Sequence, residues 1–408
     1  MAKQRGRKKA RGKQAVIAVV AIVLVIAIVL GVCWYFLIYS KGLTIGEFLH
    51  RLGIDASRPS EETPSTGDPS GGEVVSGSVG EISSASLSIH FLELGNKYAG
   101  DCTLIKVGDT EVLIDAGSRQ GSAAAIVEYV DQYCTDGVLE YVVATHADQD
   151  HISAFIGTNA APGIFETYEC ETIIDFPLTN KTTATYRNYC ELRDAEVEAG
   201  AVHYTALECW EESGGAKRSY QLSDDVTMQV LYNYYYENKS SDENNYSVCL
   251  LLTQGENNYL FTGDLEEDGE EKLVEYNELP KVKLFKAGHH GSKTSSNDCL
   301  LSVIQPEIVC VCCCAGAPEY TTNPDNIFPT QAMVDRVSQY TDKIYVTTLA
   351  TEIDLENESW DYTSMNGNIV IYTLRAEDAY TLKLWCSNND TILKDTEWFK
   401  EYRTWSGV

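Results

Sequence analysis

The chain has 408 residues, of which 44% are hydrophobic and 10% aromatic, enough to build one large folded domain with appendages. This composition excludes a wholly disordered or low-complexity chain. The formal net charge is −29, so most of the surface repels nucleic acid and other polyanions at long range, and only a local positive groove would overcome that repulsion.

The N-terminus combines a basic tail with a long apolar stretch. Seven Lys and Arg lie within residues 1–13 without an acid, and removing them from the total leaves −36 for residues 14–408. Residues 15–39 carry no charge and are long enough to cross a bilayer as a helix. We therefore expect a single-pass anchor in the cell membrane, with residues 1–14 in the cytoplasm and the rest of the chain outside. A cleavable signal peptide is the alternative, but the apolar run is long for one.

Residues 40–85 predict a flexible linker. From Ala56 to Gly80 the chain is rich in Ser, Gly, Pro, Thr and Glu, with almost nothing to bury. A folded domain is predicted over residues 86–376, followed by a C-terminal extension over residues 377–408.

The first part of the folded domain has strand and helix patterns. Residues 86–94 alternate as a strand, and residues 103–117 predict a hairpin that turns at Gly108 and Asp109. An amphipathic helix over residues 119–135 and a short buried strand over residues 139–144 follow.

A dense polar cluster comes directly after that strand, in residues 145–151 (THADQDH). It holds two imidazoles and two carboxylates, those of His146, Asp148, Asp150 and His151. A loop at a strand end can bring such side chains to one point. Imidazole suits zinc, iron or manganese, and carboxylate shifts the preference toward harder ions such as manganese. The sequence therefore predicts a metal site, and a solvated polar loop is the weaker interpretation.

Two further polar groups follow strand-like runs. Residues 259–264 (YLFTGD) end in the carboxylate of Asp264, and residues 282–285 lead into KAGHHGS at 286–292. Ligand-type residues at the ends of three predicted strands strengthen the metal-site hypothesis.

The C-terminal third is predicted to continue with strands and a helix. Residues 309–314 (VCVCCC) predict a buried strand with free thiols, because adjacent Cys on a strand point to opposite faces and no zinc-finger spacing recurs. A helix over residues 329–338 and strands over residues 344–348, 368–373 and 379–386 complete the pattern.

The order of VLIDAG (112–117), THADQDH, FTGD (261–264) and KAGHHGSKTSS (286–296) resembles the metallo-β-lactamase fold superfamily, and within it the hydrolase domain of ComEC-type competence proteins. The resemblance covers about residues 86–375. It implies an α/β fold, an αββα metallo-β-lactamase-like sandwich, preceded here by one N-terminal transmembrane helix.

The resemblance also implies two divalent metal ions, zinc or manganese. Asp264 would bridge them, and Asp150 would be the catalytic residue that orients the attacking water. His289 is favoured as the histidine ligand of the second cluster. The full set of implied metal ligands is His146, Asp148, Asp150, His151, Asp264 and His289.

Residues next to these ligands are candidates for supporting roles. Asp115 would support the metal-binding loop from behind, or else form a turn. Donors and positive charge beside the second cluster would suit a phosphate-like oxyanion, and His290 alternatively shares the metal. The predicted substrate-binding residues are His290, Lys286, Ser292 and Lys293.

Three positions depart from the family pattern. An inserted NKYAG separates Gly95 from Asp101, which leaves the role of Asp101 open. Tyr232 stands where competence-type members have a third His, and Phe328 stands where they have a His before Pro. These losses weigh against nuclease activity.

Together these features predict a membrane-anchored, extracytoplasmic metal-dependent hydrolase. The resemblance implies attack of a metal-bound hydroxide on a phosphodiester such as DNA, with a stand-alone enzyme expected rather than a transporter. A hydrolase of a small ester, lactone or surface phosphate, and a metal-free binding module, are the alternatives. The sequence indicates no protein partner.

Overall fold

The computed structural model describes residues 75–376 and 379–408 as an α/β unit built on two large β-sheets. The predicted cytoplasmic tail, the predicted transmembrane helix at 15–39 and most of the predicted linker lie outside these residues. Within the two described ranges, no helix has the length and apolar character needed to cross a membrane.

The strands of the described residues divide between two large sheets and one small hairpin. One large sheet has the order β1-β19-β18-β2-β3-β4-β5-β8-β9, the other runs from β10 to β17 in sequence order, and β6 pairs with β7. The bounds are β1 (Val75–Ser76), β2 (Leu87–Phe91), β3 (Thr103–Val107), β4 (Thr110–Ile114), β5 (Val138–Val143), β6 (Gly157–Thr158), β7 (Ala161–Pro162), β8 (Glu169–Asp175), β9 (Val202–Thr205), β10 (Ser219–Gln221), β11 (Val226–Val230), β12 (Leu250–Gln254), β13 (Asn257–Phe261), β14 (Leu284–Lys286), β15 (Ile308–Ala315), β16 (Ile344–Asp354), β17 (Ser359–Ser364), β18 (Ile369–Ala376) and β19 (Ala379–Cys386).

The helices connect these strands and cover the sheets. Short 3₁₀ turns lie at 120–122, 234–236, 244–246, 288–291, 324–326 and 393–395. The α-helices are α1 (Val79–Ile82), α2 (Ala123–Val130), α3 (Gln149–Ile156), α4 (Ile164–Thr167), α5 (Ala184–Ala199), α6 (Ala206–Glu211), α7 (Glu267–Tyr276), α8 (Asp298–Ile304), α9 (Gln331–Val337) and α10 (Glu397–Tyr402).

The two large sheets pack face to face, as the alternation of side chains between two cores along their strands shows. In β12, Leu250 and Leu252 join a core that also contains the buried residues of β2 to β5, whereas Leu251 points the other way, into a core shared with α7 to α10. In β13, Phe261 and Leu260 divide in the same manner. Because successive side chains of a strand point to opposite faces, the second sheet is buried on both sides.

The cysteine-rich strand follows the same rule. Cys310 and Cys312 of β15 face the core between the sheets, and Cys313 faces the helices. All the cysteines of the described residues are free. The prediction of a buried strand with free thiols is confirmed, as is the hairpin of β3 and β4.

The limits of the folded region differ from the predicted ones at both ends. Residues 75–85 belong to it, because β1 pairs in parallel with β19 and Ile82 is buried against Tyr372. Residues 379–408 belong to it as well, since β19 pairs with β18 and Trp398 is buried. In both segments, a few buried apolar side chains within a mostly polar sequence pack against the rest of the folded unit.

Parallel pairing brings the motif loops to one edge of the molecule. β4 and β5 are parallel neighbours in one sheet, and β13 and β14 are parallel neighbours in the other. Their carboxyl ends carry the DAG, HADQDH, GD and HHGS segments in turn. The two sheets meet there, because Val248 N–H donates to the carbonyl of Thr145 at 2.8 Å.

Candidate metal centre

Four buried side chains from four separate segments of the chain converge at this edge. One ligand atom from each lies within 4.8 Å of the other three. We call this set the inner ligand group, and it consists of Asp101, His151, Asp264 and His290.

Asp264 lies between the two histidines of the inner ligand group. Its Oδ2 is 3.1 Å from Nε2 of His151 and 3.2 Å from Nε2 of His290. Asp150, in the first turn of α3, places Oδ2 3.5 Å from the same His290 nitrogen. Two imidazoles and several carboxylates thus face one point.

Hydrogen bonds made by Nδ1 orient the imidazoles of His151 and His290. His151 Nδ1 donates to Oδ2 of Asp115 at 2.8 Å, and Asp115 also accepts from the Thr145 N–H at 2.7 Å. His290 Nδ1 donates to the carbonyl of Cys312 at 2.9 Å. Each Nε2 is therefore left as the ligand atom, which is the arrangement that supports histidine at metal sites.

Close backbone packing holds the loops in place. Asp101 N–H donates to the carbonyl of Asp150 at 3.0 Å, and Ala116 N–H donates to that of His151 at 2.7 Å. A Cβ on Gly117 would lie 1.5 Å from the carbonyl oxygen of Asp150. Only glycine fits there, which explains the last residue of the VLIDAG motif.

The two adjacent histidines have unusual backbone angles. His289 and His290 have φ of 47° and 53°, in the left-handed region that residues other than glycine rarely adopt. Strain of this kind persists where the surroundings enforce it, and it clusters at functional sites. The kink sends the two side chains in different directions.

The inner ligand group attracts positive charge. Burial would raise the pKa of Asp264, but His151, His290 and Lys286 lower the pKa of this carboxyl well below its usual range. Burial would lower the pKa of His290, but Asp264 and Asp101 raise it well above its usual range. The buried carboxylates therefore favour positive charge at these imidazoles.

The unpaired buried atoms fit a metal ion. Within the residues that the structure describes, Oδ1 of Asp101 and of Asp264 and Nε2 of His151 and of His290 have no hydrogen-bond partner. Burying such a group unpaired costs about 1–3 kcal/mol. A divalent cation held by one atom of each residue would satisfy both unpaired Nε2 atoms, and this nitrogen and oxygen donor set suits zinc, iron or manganese.

Two other predicted ligands, His146 and Asp148, form a weaker arrangement. We call these two residues the outer pair. Nε2 of His146 is 3.7 Å from Oδ2 of Asp148 and has no hydrogen-bond partner among the described residues. Burial and the charge of His151 hold the pKa of His146 well below its usual range. The second oxygen of Asp148 pairs with the ammonium of Lys181.

A cavity of about 370 Å³ opens over both sets of residues. Its floor includes Asp264, and its wall includes Asp148, Asp150 and His289. Tyr320 lies at the rim, 56% exposed, and its hydroxyl donates to Oδ2 of Asp150 at 2.8 Å. The cavity therefore reaches the inner ligand group at Asp264 and the outer pair at Asp148.

The structure exchanges the predicted roles of the two adjacent histidines. His290 joins the inner ligand group, whereas Nδ1 of His289 contacts Oε1 of Glu266 at 3.1 Å and the Thr294 hydroxyl at 3.2 Å. The structure places the second histidine, and not the predicted ligand His289, in the converging set, because the left-handed turn directs His290 inward. Sequence spacing alone does not distinguish two adjacent histidines.

The other predicted substrate-binding residues lie away from the cavity. Lys286 is buried, pairs with Asp101, and has its Nζ 3.5 Å from Oδ1 of Asp264, so it balances charge inside the site. The Ser292 hydroxyl is buried against Thr294, and Lys293 lines a separate cavity. Asp101, whose role the insertion left open, belongs to the inner ligand group.

Aromatic side chains occupy the positions of the two missing histidines. Tyr232 packs between Trp210 and Tyr276, at ring distances of 5.3 and 5.4 Å. Phe328 contacts the rings of His289 at 5.8 Å and of His290 at 6.2 Å. Phe328 thus adds an apolar wall to the site but no ligand atom.

Comparison with known proteins agrees with this geometry. Residues 95–157 match the family model described as the metallo-beta-lactamase superfamily. The chain is 25% identical over 275 residues to Recombination protein 2 of Haemophilus influenzae, covering 67% of this chain and 29% of the relative. It is 26% identical over 174 residues to ComE operon protein 3 of Bacillus subtilis, covering 41% and 19%. The resemblance inferred from the motifs is confirmed.

The matched relatives are much longer than this chain. The chain spans less than a third of the length of either relative. Among solved structures, the metallo-beta-lactamase fold protein YhfI of Bacillus subtilis is similar with a TM-score of 0.36 and 12% identity, over 65% of this chain and 96% of that one.

Proposed function

We propose that this chain, a metallo-β-lactamase superfamily hydrolase with competence-protein relatives, is a metal-dependent phosphodiesterase that acts on DNA or a similar phosphodiester. One observation carries the proposal. Ligand atoms of four buried residues converge next to an open cavity, three of them at loops that match the family motifs, and the Nε2 atoms of both histidines have no hydrogen-bond partner among the described residues.

The chain's own residues would hold the metal and orient the water. The inner ligand group would bind a divalent ion, which would supply a Lewis acid and lower the pKa of a bound water. Burial would raise the pKa of Asp150, but the hydrogen bond to His290 and the charge of His151 lower it well below its usual range. The ionised form of Asp150 is thus favoured at the cavity wall, where the carboxylate would accept a hydrogen bond from a water and orient it.

Features of the cavity support an anionic substrate. Thr183 and Thr185 line it at the N-terminus of α5, where the first N–H groups of a helix lack partners within the helix and attract negative charge. The strongly acidic remainder of the chain disfavours long contacts along a polyanion. A short stretch or an end of a nucleic acid fits these two conditions.

The location outside the cytoplasm is part of the proposal. Residues 15–39 would anchor the chain in the membrane, and residues 40–74 would link the anchor to the folded unit. For a flexible Gly- and Ser-rich linker of that length, the mean span is about 30 Å. The cavity would then work close to the membrane surface.

A second candidate is hydrolysis of a small ester, lactone or surface phosphate. The cavity volume of about 370 Å³ favours it, because it is near the lower limit of typical small-molecule sites. The same metal and the same carboxylate would serve both reactions.

Metal content and a substrate panel, measured on the full chain in detergent, test the proposal. We expect wild type to bind a divalent metal and to hydrolyse bis-p-nitrophenyl phosphate and single-stranded DNA. Asp264→Asn should lose the metal and lower the activity more than about 100-fold, since even loss of an outer partner of a ligand costs about 10- to 100-fold. Asp268→Asn, an exposed position on the following helix, is the matched control.

Each other outcome points elsewhere. Metal-dependent hydrolysis of p-nitrophenyl acetate or a lactone without phosphodiesterase activity would select the second candidate. Failure to bind zinc, manganese or iron would overturn the enzyme and leave a binding module.

A further inference from the structure

We propose that the chain holds one divalent metal ion, in the inner ligand group, and that the ammonium of Lys181 takes the place of a second ion beside Asp148. This inference rests on the metal dependence proposed above. It departs from the two ions that the family resemblance implies.

The outer pair offers too few ligand atoms for a second ion. Among the described residues, the inner ligand group is the one set in which three or more ligand atoms converge. His146 and Asp148 supply two atoms, 3.7 Å apart. A third histidine would be needed, and the candidate position holds Tyr232, whose hydroxyl donates to Glu237 at 2.6 Å instead.

His289 does not complete the outer pair. Its Nδ1 contacts Glu266, Thr294 and, at 3.4 Å, the amide of Asn244. It is not part of the converging set of ligand atoms.

Lys181 supplies positive charge where a second ion would bind. Its ammonium contacts Oδ1 of Asp148, while Oδ2 of the same carboxylate is the oxygen nearest His146. The two side chains are 29% and 27% exposed, so solvent only partly screens this pair. A dication at this point would have to displace a lysine of like charge.

The loop that carries Lys181 is clamped in position. Glu243 is buried and accepts from the Thr179 hydroxyl and from the Asn180 N–H, both at 2.6 Å. The Lys181 N–H in turn donates to the Thr179 hydroxyl at 2.9 Å. The lysine therefore starts from a fixed backbone, and its contact with Asp148 is not a chance meeting of two mobile surface charges.

The charges of the inner ligand group suit one dication. Asp101, Asp115 and Asp264 are buried carboxylates, and Lys286 is the buried ammonium among them. With the carboxylate of Asp150 at the cavity wall, these groups leave an excess of negative charge that a divalent ion would offset. The outer pair is already neutralised by Lys181.

Metal stoichiometry of the full chain tests the inference without using activity. The protein is stripped with chelator, loaded with excess manganese or, separately, zinc, freed of unbound metal and analysed for metal per chain. We expect one equivalent in wild type and one in His146→Ala. Lys181→Met should gain a second, weaker manganese-binding step in a calorimetric titration, because Asp148 is released and water can complete the coordination of a weakly held ion. Lys217→Met, at an exposed loop position, should behave as wild type.

The outcomes separate this inference from the proposed function. Two equivalents of manganese in wild type would overturn the single-ion site while leaving a metal-dependent enzyme. Loss of the one equivalent in His146→Ala would place the ion at the outer pair, which also overturns it. A Lys181→Met variant that still binds only one ion would remove Lys181 from the explanation. No metal in any variant would overturn the enzyme proposal as well.

Discussion

Two histidines of the same heptapeptide, His146 and His151, lie in different surroundings. His151 has a carboxylate behind it, Asp115 at 2.8 Å, and another in front, Asp264 at 3.1 Å. His146 has the Thr145 hydroxyl behind it at 3.1 Å, and the carboxylate nearest to its Nε2 is already paired with a lysine.

The contrast shows that ligand-type residues alone do not make a metal site. Burial lowers the pKa of both histidines, but the carboxylates around His151 raise its pKa well above the usual range, whereas that of His146 stays well below. The carboxylates that favour positive charge at His151 also favour a metal ion there. The hydrogen-bond partner of Nδ1 and the charges near Nε2, more than the residue type, decide which histidine binds a cation.

The largest expected effect comes from replacing the two adjacent histidines of the second cluster, His289 and His290, one at a time. We expect His290→Ala to weaken metal affinity more than about 100-fold and His289→Ala less than about 10-fold, because only His290 directs a nitrogen into the inner ligand group. Competition with a fluorescent chelator measures both. Equal losses would mean that the two histidines share the ion.

The next largest expected effect is a loss of folding stability when the buried ammonium of Lys286 is removed. Lys286→Met leaves Asp101 and Asp264 without their cation, and removing one partner of a buried ion pair destabilises by about 3–5 kcal/mol. We expect this loss in urea unfolding with chelator present, and partial recovery when metal is added. A variant as stable as wild type without metal would show that the carboxylates are balanced in another way.

Replacing Asp115, the hydrogen-bond partner of His151 Nδ1, should reduce metal affinity less than replacing a ligand itself. Asp115→Asn keeps a residue that tolerates the left-handed backbone at φ 60°, but it weakens the acceptor for His151 Nδ1. We expect metal affinity to fall about 10- to 100-fold, the usual cost of losing such a partner. Asp109→Asn, in the β3–β4 hairpin turn, is the control that should bind metal normally.

The smallest expected effect is at the rim of the cavity. Tyr320→Phe removes one hydrogen bond to Asp150, worth about 1 kcal/mol, which corresponds to a change in rate of about five-fold. Metal content should stay at the wild-type value. Loss of metal in this variant would instead place Tyr320 in the support of the ligands.

Much of the molecule could be predicted from the sequence, because local patterns determine it. Strand periodicity and turn residues located the β3–β4 hairpin, the cysteine-rich strand and the loops that carry Asp115, His146, His151 and Asp264. The family motifs added the metal-dependent chemistry. Each of these features depends on residues close together in the chain, or on an order of motifs that sequence preserves.

The tertiary structure alone decided which side chains meet. Asp101 enters the inner ligand group only because its loop packs on the backbone of Asp150, and His290 replaces His289 only because two residues adopt a left-handed backbone. Lys286 turned out to be buried rather than substrate-facing, and Lys181 reaches Asp148 across 33 positions of sequence. Such pairings depend on backbone angles and on contacts between distant loops, and residue type and spacing do not encode either one directly.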